Sequence, residues 1–281
     1  MTARLERIDP ETPLNVVNRF GITTLAADLE AGTIVASMPI AGMTNPLTGL
    51  PTIAGLAVLV DDVAGRANYY RTSREQWTVS SELTVDINPV AYSSLVAAPD
   101  EPVIASARGV GAPGSPLLSV CDLVHAGQPI GVGTVHTLAL EGGPDTPVTG
   151  GADPLIRTPS TTLADLMAVE PLPGGDQAAR LRQRPDPIVN NLLGIVHGGV
   201  SSAALELVAA AAINHDRSDP QRTGSIRVNF LRPFIVAADA SAESVYAGTA
   251  LRVGRSTAVA DAHAIGQDGK VALVARVTTY R

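Results

Sequence analysis

The sequence predicts an α+β fold built from two copies of one unit, each a curved antiparallel sheet around a long central helix. Three observations lead to this prediction: a faint internal repeat, strands of alternating polarity, and one helix-like run that is apolar on nearly every side. Together they indicate a duplicated domain.

The repeat emerges when the chain is shifted by 144 positions without a gap. Each half then has a Gly-containing loop, an apolar helix-like run and an alternating strand ending at proline, and each opens with Thr-Thr-Leu-Ala. We expect units at residues 1–140 and 160–281, joined by the Gly- and Pro-rich linker 141–159. The coinciding residues are Gly55 with Gly199, Asp62 with Glu206, Ser81 with Ser225, and Pro89 with Pro233.

The strands follow from side-chain alternation. Residues 225–233 alternate apolar and polar side chains until Pro233 ends the strand. Residues 256–265 and 271–280 flank a Gly-Gln-Asp-Gly hairpin signal, and their first-half counterparts are residues 117–125 and 132–140. Each half therefore reads as one helix followed by an antiparallel sheet.

The helix spanning residues 200–213 is apolar or small on nearly every side, so protein should surround it. Its exception is Glu206, because a buried acid is costly unless it is paired. Two interpretations stay open: Glu206 faces a second pocket, or an arginine such as Arg227 or Arg232 satisfies it.

Composition excludes several function classes. The net charge is −7 and aromatic residues make up 3% of the 281 positions, which disfavours nucleic-acid binding. The longest apolar stretch is too short to span a bilayer, and neither an export signal nor paired histidine spacing for a metal is visible. A lone cysteine, Cys121, favours a reducing compartment, so we expect a cytoplasmic protein.

Residues 190–199, which precede the long helix, carry the chemistry. The segment reads Asn-Asn-Leu-Leu-Gly-Ile-Val-His-Gly-Gly, and glycines at a helix N-terminus leave backbone N–H groups accessible to negative charge. It could therefore form an oxyanion hole. The alternative is that Gly198 and Gly199 only permit a turn or close helix packing, with His197 in the core.

This segment resembles the His-Gly-Gly signature of hotdog-fold acyl-CoA thioesterases, in particular the PaaI-like and 4-hydroxybenzoyl-CoA thioesterase group. The match includes Asn191, six positions before His197, and Glu206, nine positions after it, with further similarity at residues 252–256 and 269–272. The resemblance covers residues 160–281 well and the first half only through the repeat. It implies a double hotdog whose active site lies between the two units.

Helix geometry supports a shared site independently of the resemblance. Nine residues turn through roughly 900° and advance about 13 Å, so Glu206 points away from His197. The acid expected opposite His197 and Gly198 is therefore Asp62, the repeat equivalent of Glu206, although its neighbour Asp61 could point inward instead. The first half has Leu47, Ile53 and Ala54 where the second has Asn191, His197 and Gly198, so only one complete site is expected. A second site stays open, because Asn45 lies close to the Leu47 position and a backbone N–H does not require glycine.

The resemblance implies a reaction without metal or cofactor, in which coenzyme A is part of the substrate. The N–H of Gly198, which is followed by Gly199, would stabilise the oxyanion. His197 would shape the turn or help hold the thioester, and Asn191 would orient water or the carbonyl. Asp62 would act as general base or nucleophile, and Glu206 remains a secondary catalytic candidate. Arg255 and Ser256 would contact the nucleotide end of coenzyme A.

Two other functions remain possible on the sequence. A hotdog hydratase or dehydratase typically carries Asp and His five apart, whereas the fifth residue after His197 is Ser202. A diverged double hotdog that binds acyl-CoA or a partner without turnover is the non-catalytic alternative. We also expect a homo-oligomer, because open strand edges can join further copies.

Overall fold

The computed structural model describes residues 15–73, 75–141, 155, 157–158, 160–173, 178–236 and 242–281. In the first half the elements are α1 (Val16–Arg19), β1 (Thr23–Asp28), β2 (Thr33–Met38), α2 (Gly55–Tyr69), β3 (Gln76–Ile87), α3 (Ala91–Ala97), β4 (Val103–Val110), β5 (Leu117–His125) and β6 (Gln128–Glu141). In the second half they are α4 (Leu163–Met167), β7 (Val169–Leu172), β8 (Ala178–Gln183), α5 (Gly198–Asn214), β9 (Arg222–Phe230), β10 (Val245–Val253), β11 (Thr257–Ile265) and β12 (Val271–Tyr280).

All twelve strands form one antiparallel sheet in the order β1-β2-β4-β5-β6-β3-β9-β12-β11-β10-β8-β7. The strand order is symmetric about the centre of the sheet. The six strands of the first half have the same order, counted from their edge, as the six strands of the second half counted from theirs. The halves join through the β3–β9 ladder, which runs from Glu82 opposite Asn229 to Asp86 opposite Ser225. Strand β3, from the first half, thus pairs with β6 of its own half and with β9 of the other.

Each half of the sheet packs around its own helix, and the two helices contact each other. Every residue of α5 from Gly199 to Ile213 is buried, as its apolar sequence predicts. Helix α2 is buried over most of its length, including the two acids Asp61 and Asp62. The predicted duplicated α+β architecture is confirmed.

Most predicted strands match the structure closely. Strands β5 and β12 have the predicted bounds, whereas β6 extends beyond residues 132–140 and β9 ends at Phe230, before Pro233. The linker expected at 141–159 lies almost entirely outside the described residues.

The paired Thr-Thr-Leu-Ala segments are not structurally equivalent. The first is the start of β1, whereas in the second Thr162 and Asp165 form a capping box at the start of α4. The second-half counterpart of β1 is β7, which begins only at Val169. In the second copy a capping acid follows three residues after Thr162, so the helix begins at Leu163; the first copy has no acid at the equivalent position.

None of the helices in the described ranges is long and apolar enough to cross a lipid bilayer.

Candidate active site

A large cavity opens where β3 and β9 separate. Upstream of Glu82 strand β3 still pairs with β6, but its other edge has left β9. The space between holds a cavity of about 500 Å³ bounded by both halves of the chain. Its lining includes Asp61, Asp62, Gly65, Arg66, Tyr69, Trp77, Val79, Ser80, Leu138, Leu140, Asn191, His197, Gly198, Phe230 and Arg232.

The N-terminus of α5 points into this cavity. His197 is the N-cap residue, and its Nδ1 accepts a hydrogen bond from the backbone N–H of Gly199 at 3.1 Å. The N–H of Gly198, the first helical residue, has no hydrogen-bond acceptor within the described part of the chain. A backbone donor without a described acceptor therefore lies at the positive end of a helix, in a residue that lines the cavity.

Asp61, from helix α2 of the other half, meets this helix end. Its Oδ2 lies 2.6 Å from the backbone nitrogen of Gly199 and 3.3 Å from Nδ1 of His197. Its Oδ1 accepts a hydrogen bond of 2.7 Å from the hydroxyl of Ser80 on β3. The carboxylate is thus held in one orientation by groups from both halves, at the edge of the cavity.

The predicted partner of His197 was Asp62, and the structure places Asp61 there instead. Asp62 is also buried and lines the cavity, but its Oδ2 pairs with Arg66 at 2.5 Å, one helical turn further along. Consecutive helical residues differ by about 100° in direction, so only one of the two acids can face the α5 N-terminus.

The close packing of α5 against α2 requires a glycine at position 199. A Cβ atom there would lie 2.5 Å from Cα of Val58 and 2.9 Å from the carbonyl oxygen of Ala57, both on α2. Of the two glycines, Gly199 is therefore the one that permits close helix packing. Gly198 faces the cavity, and a Cβ there would approach Oδ2 of Asp61 at 2.8 Å.

Asn191 lines the cavity and shapes the loop before α5. Its side-chain oxygen accepts hydrogen bonds from the backbone N–H groups of Leu193 at 2.9 Å and Ile195 at 3.2 Å. With this oxygen engaged, Asn191 holds the loop that delivers His197 and Gly198 to the cavity.

Glu206 lies in a second location, away from His197. Its carboxylate accepts hydrogen bonds from the hydroxyls of Thr52 at 2.7 Å and Thr223 at 2.5 Å, and it borders a smaller cavity of about 240 Å³. Burial raises its pKa, an effect that the two hydroxyls only partly oppose. Glu206 therefore faces a second pocket, which was one of the two interpretations left open by the sequence.

Neither of the two arginines named for Glu206 satisfies it, because its carboxylate bonds to the two threonines. Arg227 reaches Asp86 on the exposed face of the sheet, and Arg232 lines the main cavity. At the positions equivalent to His197 and Gly198, the first half has the buried apolar residues Ile53 and Ala54, and neither belongs to the described lining of the smaller cavity.

Arg255 and Ser256 occupy the exposed turn between β10 and β11. The backbone oxygen of Arg255 accepts a hydrogen bond from the side chain of Gln221, which lines the Glu206 cavity. The turn is therefore next to the smaller cavity, and the two residues are not part of the described lining of the larger one.

Sequence reasoning missed several residues of the main cavity. Ser80 is adjacent to the repeat-matched Ser81, and the offset gave no reason to prefer it. Arg66, four residues after Asp62, was an available signal, because an i,i+4 acid–base pair on a helix engages that acid. Trp77 and Tyr69, whose ring centroids lie 5.4 Å apart, carry no motif at all.

Comparisons with known proteins identify a family model and solved structures that this chain resembles. Residues 193–273 match the family model described as Thioesterase superfamily. A hot dog fold protein of unknown function from Alicyclobacillus acidocaldarius aligns over 94% of this chain and 97% of its own, with 13% identity and a TM-score of 0.58. Acyl-CoA thioesterase II TesB2 from Mycobacterium marinum aligns over 94% and 97%, with 12% identity and a TM-score of 0.59.

No curated protein matches the sequence. The structural neighbours nevertheless span nearly the whole chain, so the double hotdog fold is confirmed. The resemblance to hotdog thioesterases is confirmed as well, with the family match confined to the second half.

Proposed function

We propose that this chain, a double hotdog whose residues 193–273 match the thioesterase superfamily, hydrolyses acyl-CoA thioesters to a free acid and coenzyme A. One observation carries the proposal. A buried carboxylate from the first half, Asp61, and an unengaged backbone N–H from the second, Gly198, face the same cavity. Hydrolysis of a thioester requires a group that activates water and a donor that stabilises the oxyanion.

Gly198 N–H is the proposed oxyanion donor. The carbonyl oxygen of the thioester becomes negatively charged as the tetrahedral intermediate forms, and the N-terminus of α5 favours negative charge. A preorganised donor of this kind typically contributes about 3 kcal/mol to transition-state stabilisation.

Asp61 is the proposed acid–base group. As general base it takes a proton from water while the water oxygen bonds to the carbonyl carbon; the C–S bond then breaks and the proton passes to the thiolate of coenzyme A. As nucleophile it would form a transient anhydride that water hydrolyses. Ser80 and Gly199 hold the carboxylate for either route, and His197 fixes the helix end beside it.

Arg232 is the proposed contact for the phosphates of coenzyme A. It is exposed and lines the cavity, on the β9 side of the opening. A guanidinium at the mouth would attract the polyanionic substrate without being buried. Arg255 and Ser256 are given no role at this site, because they lie beside the other cavity.

The proposal assigns hydrolysis to one site and gives Glu206 no part in it. Glu206 lacks a His-Gly-Gly partner, because Ile53 and Ala54 occupy the equivalent positions. We further propose a cytoplasmic homo-oligomer that uses no metal or cofactor. The buried single thiol of Cys121 and the open edges of β1 and β7 support the compartment and the assembly.

The test is release of free thiol from acyl-CoAs by the wild type and by a matched pair of variants. Gly198→Pro and Gly198→Ala both add a Cβ beside Asp61, but only proline removes the N–H, at a first helical position where proline is well tolerated. We expect the proline variant to be about 100-fold slower than the alanine variant. Equal rates would remove the oxyanion role, and acyl-CoA binding without any thiol release by the wild type would favour the non-catalytic alternative.

A further inference from the structure

The floor of the main cavity is one face of helix α2. Asp61, Gly65 and Tyr69 are spaced four residues apart, so they lie along the same side of the helix, and all three line the cavity. The distance from Asp61 to Tyr69 along the helix axis is about 12 Å, at about 1.5 Å per residue.

Gly65 leaves this floor open. A glycine in a helix interior costs about 1 kcal/mol relative to alanine, so it needs a compensating reason. At Gly199 the reason is close contact with α2, but a Cβ at Gly65 would meet no atom of the described residues within 4 Å. Close packing therefore does not explain the glycine at position 65. The absence of a side chain there instead leaves space in the cavity.

One wall of the cavity along this stretch is mainly apolar. It is formed by Val79 on β3 and by Leu138 and Leu140 on β6, and the two leucines are about 40% exposed. The Asp62–Arg66 ion pair also borders the cavity here, beside the floor. The floor ends at Tyr69, whose ring packs at a tilt against Trp77 with centroids 5.4 Å apart. We call the part of the cavity between Asp61 and Tyr69 the channel. Its two ends differ, because one is polar at Asp61 and the other is aromatic at Tyr69 and Trp77.

We propose that this channel holds a straight-chain, medium-length acyl group, which passes over Gly65 and ends against the Tyr69–Trp77 ring pair. The inference rests on the proposed thioester hydrolysis, since it takes Asp61 and Gly198 as the position of the carbonyl. An extended hydrocarbon advances roughly 1.3 Å per methylene, given a carbon–carbon bond of about 1.5 Å at a tetrahedral angle. The channel therefore accommodates a chain of about eight to ten carbons.

The chain length preference provides the first test. Specific activity is measured as kcat/KM for thiol release from straight-chain acyl-CoAs of two to sixteen carbons and from phenylacetyl-CoA. We expect a maximum at octanoyl- or decanoyl-CoA. A maximum at acetyl-, palmitoyl- or phenylacetyl-CoA would overturn the inference while leaving the hydrolase proposal intact, whereas no thiol release from any substrate would refute the hydrolase proposal itself.

Substitutions in the channel provide the second test. Gly65→Leu introduces a strong helix former into open space, so the variant should fold. It should lower the octanoyl-to-acetyl ratio of kcat/KM about 100-fold by excluding about four methylenes. Trp77→Ala should move the optimum to longer chains by opening the far end. Ala97→Leu, which adds the same kind of bulk at an exposed position of α3, should leave the ratio unchanged. An equal loss on octanoyl- and acetyl-CoA in Gly65→Leu would show that the acyl chain does not cross Gly65.

Discussion

At the residue scale, the position of one carboxylate decides how the site is assembled. The sequence indicated that an acid from the first half should meet His197, because Glu206 lies too far along its own helix. It did not distinguish Asp61 from Asp62, since both follow an apolar run and the faint repeat aligned the wrong neighbour. Only the packing of α2 against α5, with Gly199 in contact with Val58, determines which acid faces the helix end.

Glu206 gives a pH-dependent prediction at this scale. Burial raises its pKa in the folded state above the ordinary glutamate value of about 4.3, so the folded chain binds more protons than the unfolded chain above that pH. This contribution to stability is present below the unfolded pKa and is lost as pH rises through the folded pKa.

Glu206→Gln should therefore gain stability relative to the wild type as pH rises from 4 to 8. Each unit by which the pKa is raised corresponds to about 1.4 kcal/mol in that difference. Urea unfolding at a series of pH values measures it. A difference between the two proteins that is flat over this range would show that Glu206 is not penalised by burial.

At the element scale, periodicity predicts regular elements well and irregular ones poorly. Strands β5 and β12 and the buried helix α5 follow from alternation and from an uninterrupted apolar run. The Thr-Thr-Leu-Ala pair was misleading because four residues carry little information, and the capping acid Asp165 decides the second copy. The separation of β3 from β9, which creates the cavity, depends on tertiary pairing that no local pattern encodes.

The crossing of α2 and α5 gives a prediction for glycine substitutions. Gly199→Ala places a methyl group 2.5 Å from a backbone atom of Val58, so the helices must move apart, at a cost of about 1 to 3 kcal/mol in unfolding free energy. Gly65→Ala is the matched control, because open space surrounds it and alanine favours the helix; it should be neutral or stabilising by up to about 1 kcal/mol.

Urea denaturation midpoints of the two variants beside the wild type measure both effects. Equal midpoints for Gly199→Ala and the wild type would contradict the tight crossing, and a large loss in Gly65→Ala would contradict the open floor of the cavity.

At the scale of the whole molecule, the two halves form one structure. The β3–β9 ladder makes a single sheet, the central helices pack together, and the main cavity is lined from both sides of the chain. The duplication was predictable from the repeat. The different residues at the N-termini of the two central helices were predictable only in part, from Ile53 and Ala54.

This continuity predicts a single cooperative unfolding transition. Trp77 is the only tryptophan in the sequence and lies in the first half, while far-UV circular dichroism reports on both halves. Thermal melts followed by the two signals should have the same midpoint. An earlier fluorescence transition, with part of the dichroism surviving, would show that the halves unfold independently.

The central claim is that a carboxylate of the first half acts at the helix N-terminus of the second. The most direct measurement is kcat for thiol release by Asp61→Asn beside Asp62→Asn, two nearly isosteric changes at adjacent buried positions. We expect Asp61→Asn to lower kcat by about 10³-fold, as for loss of a catalytic base, while Asp62→Asn retains most activity. Loss of activity in Asp62→Asn with Asp61→Asn still active would contradict the role proposed for Asp61.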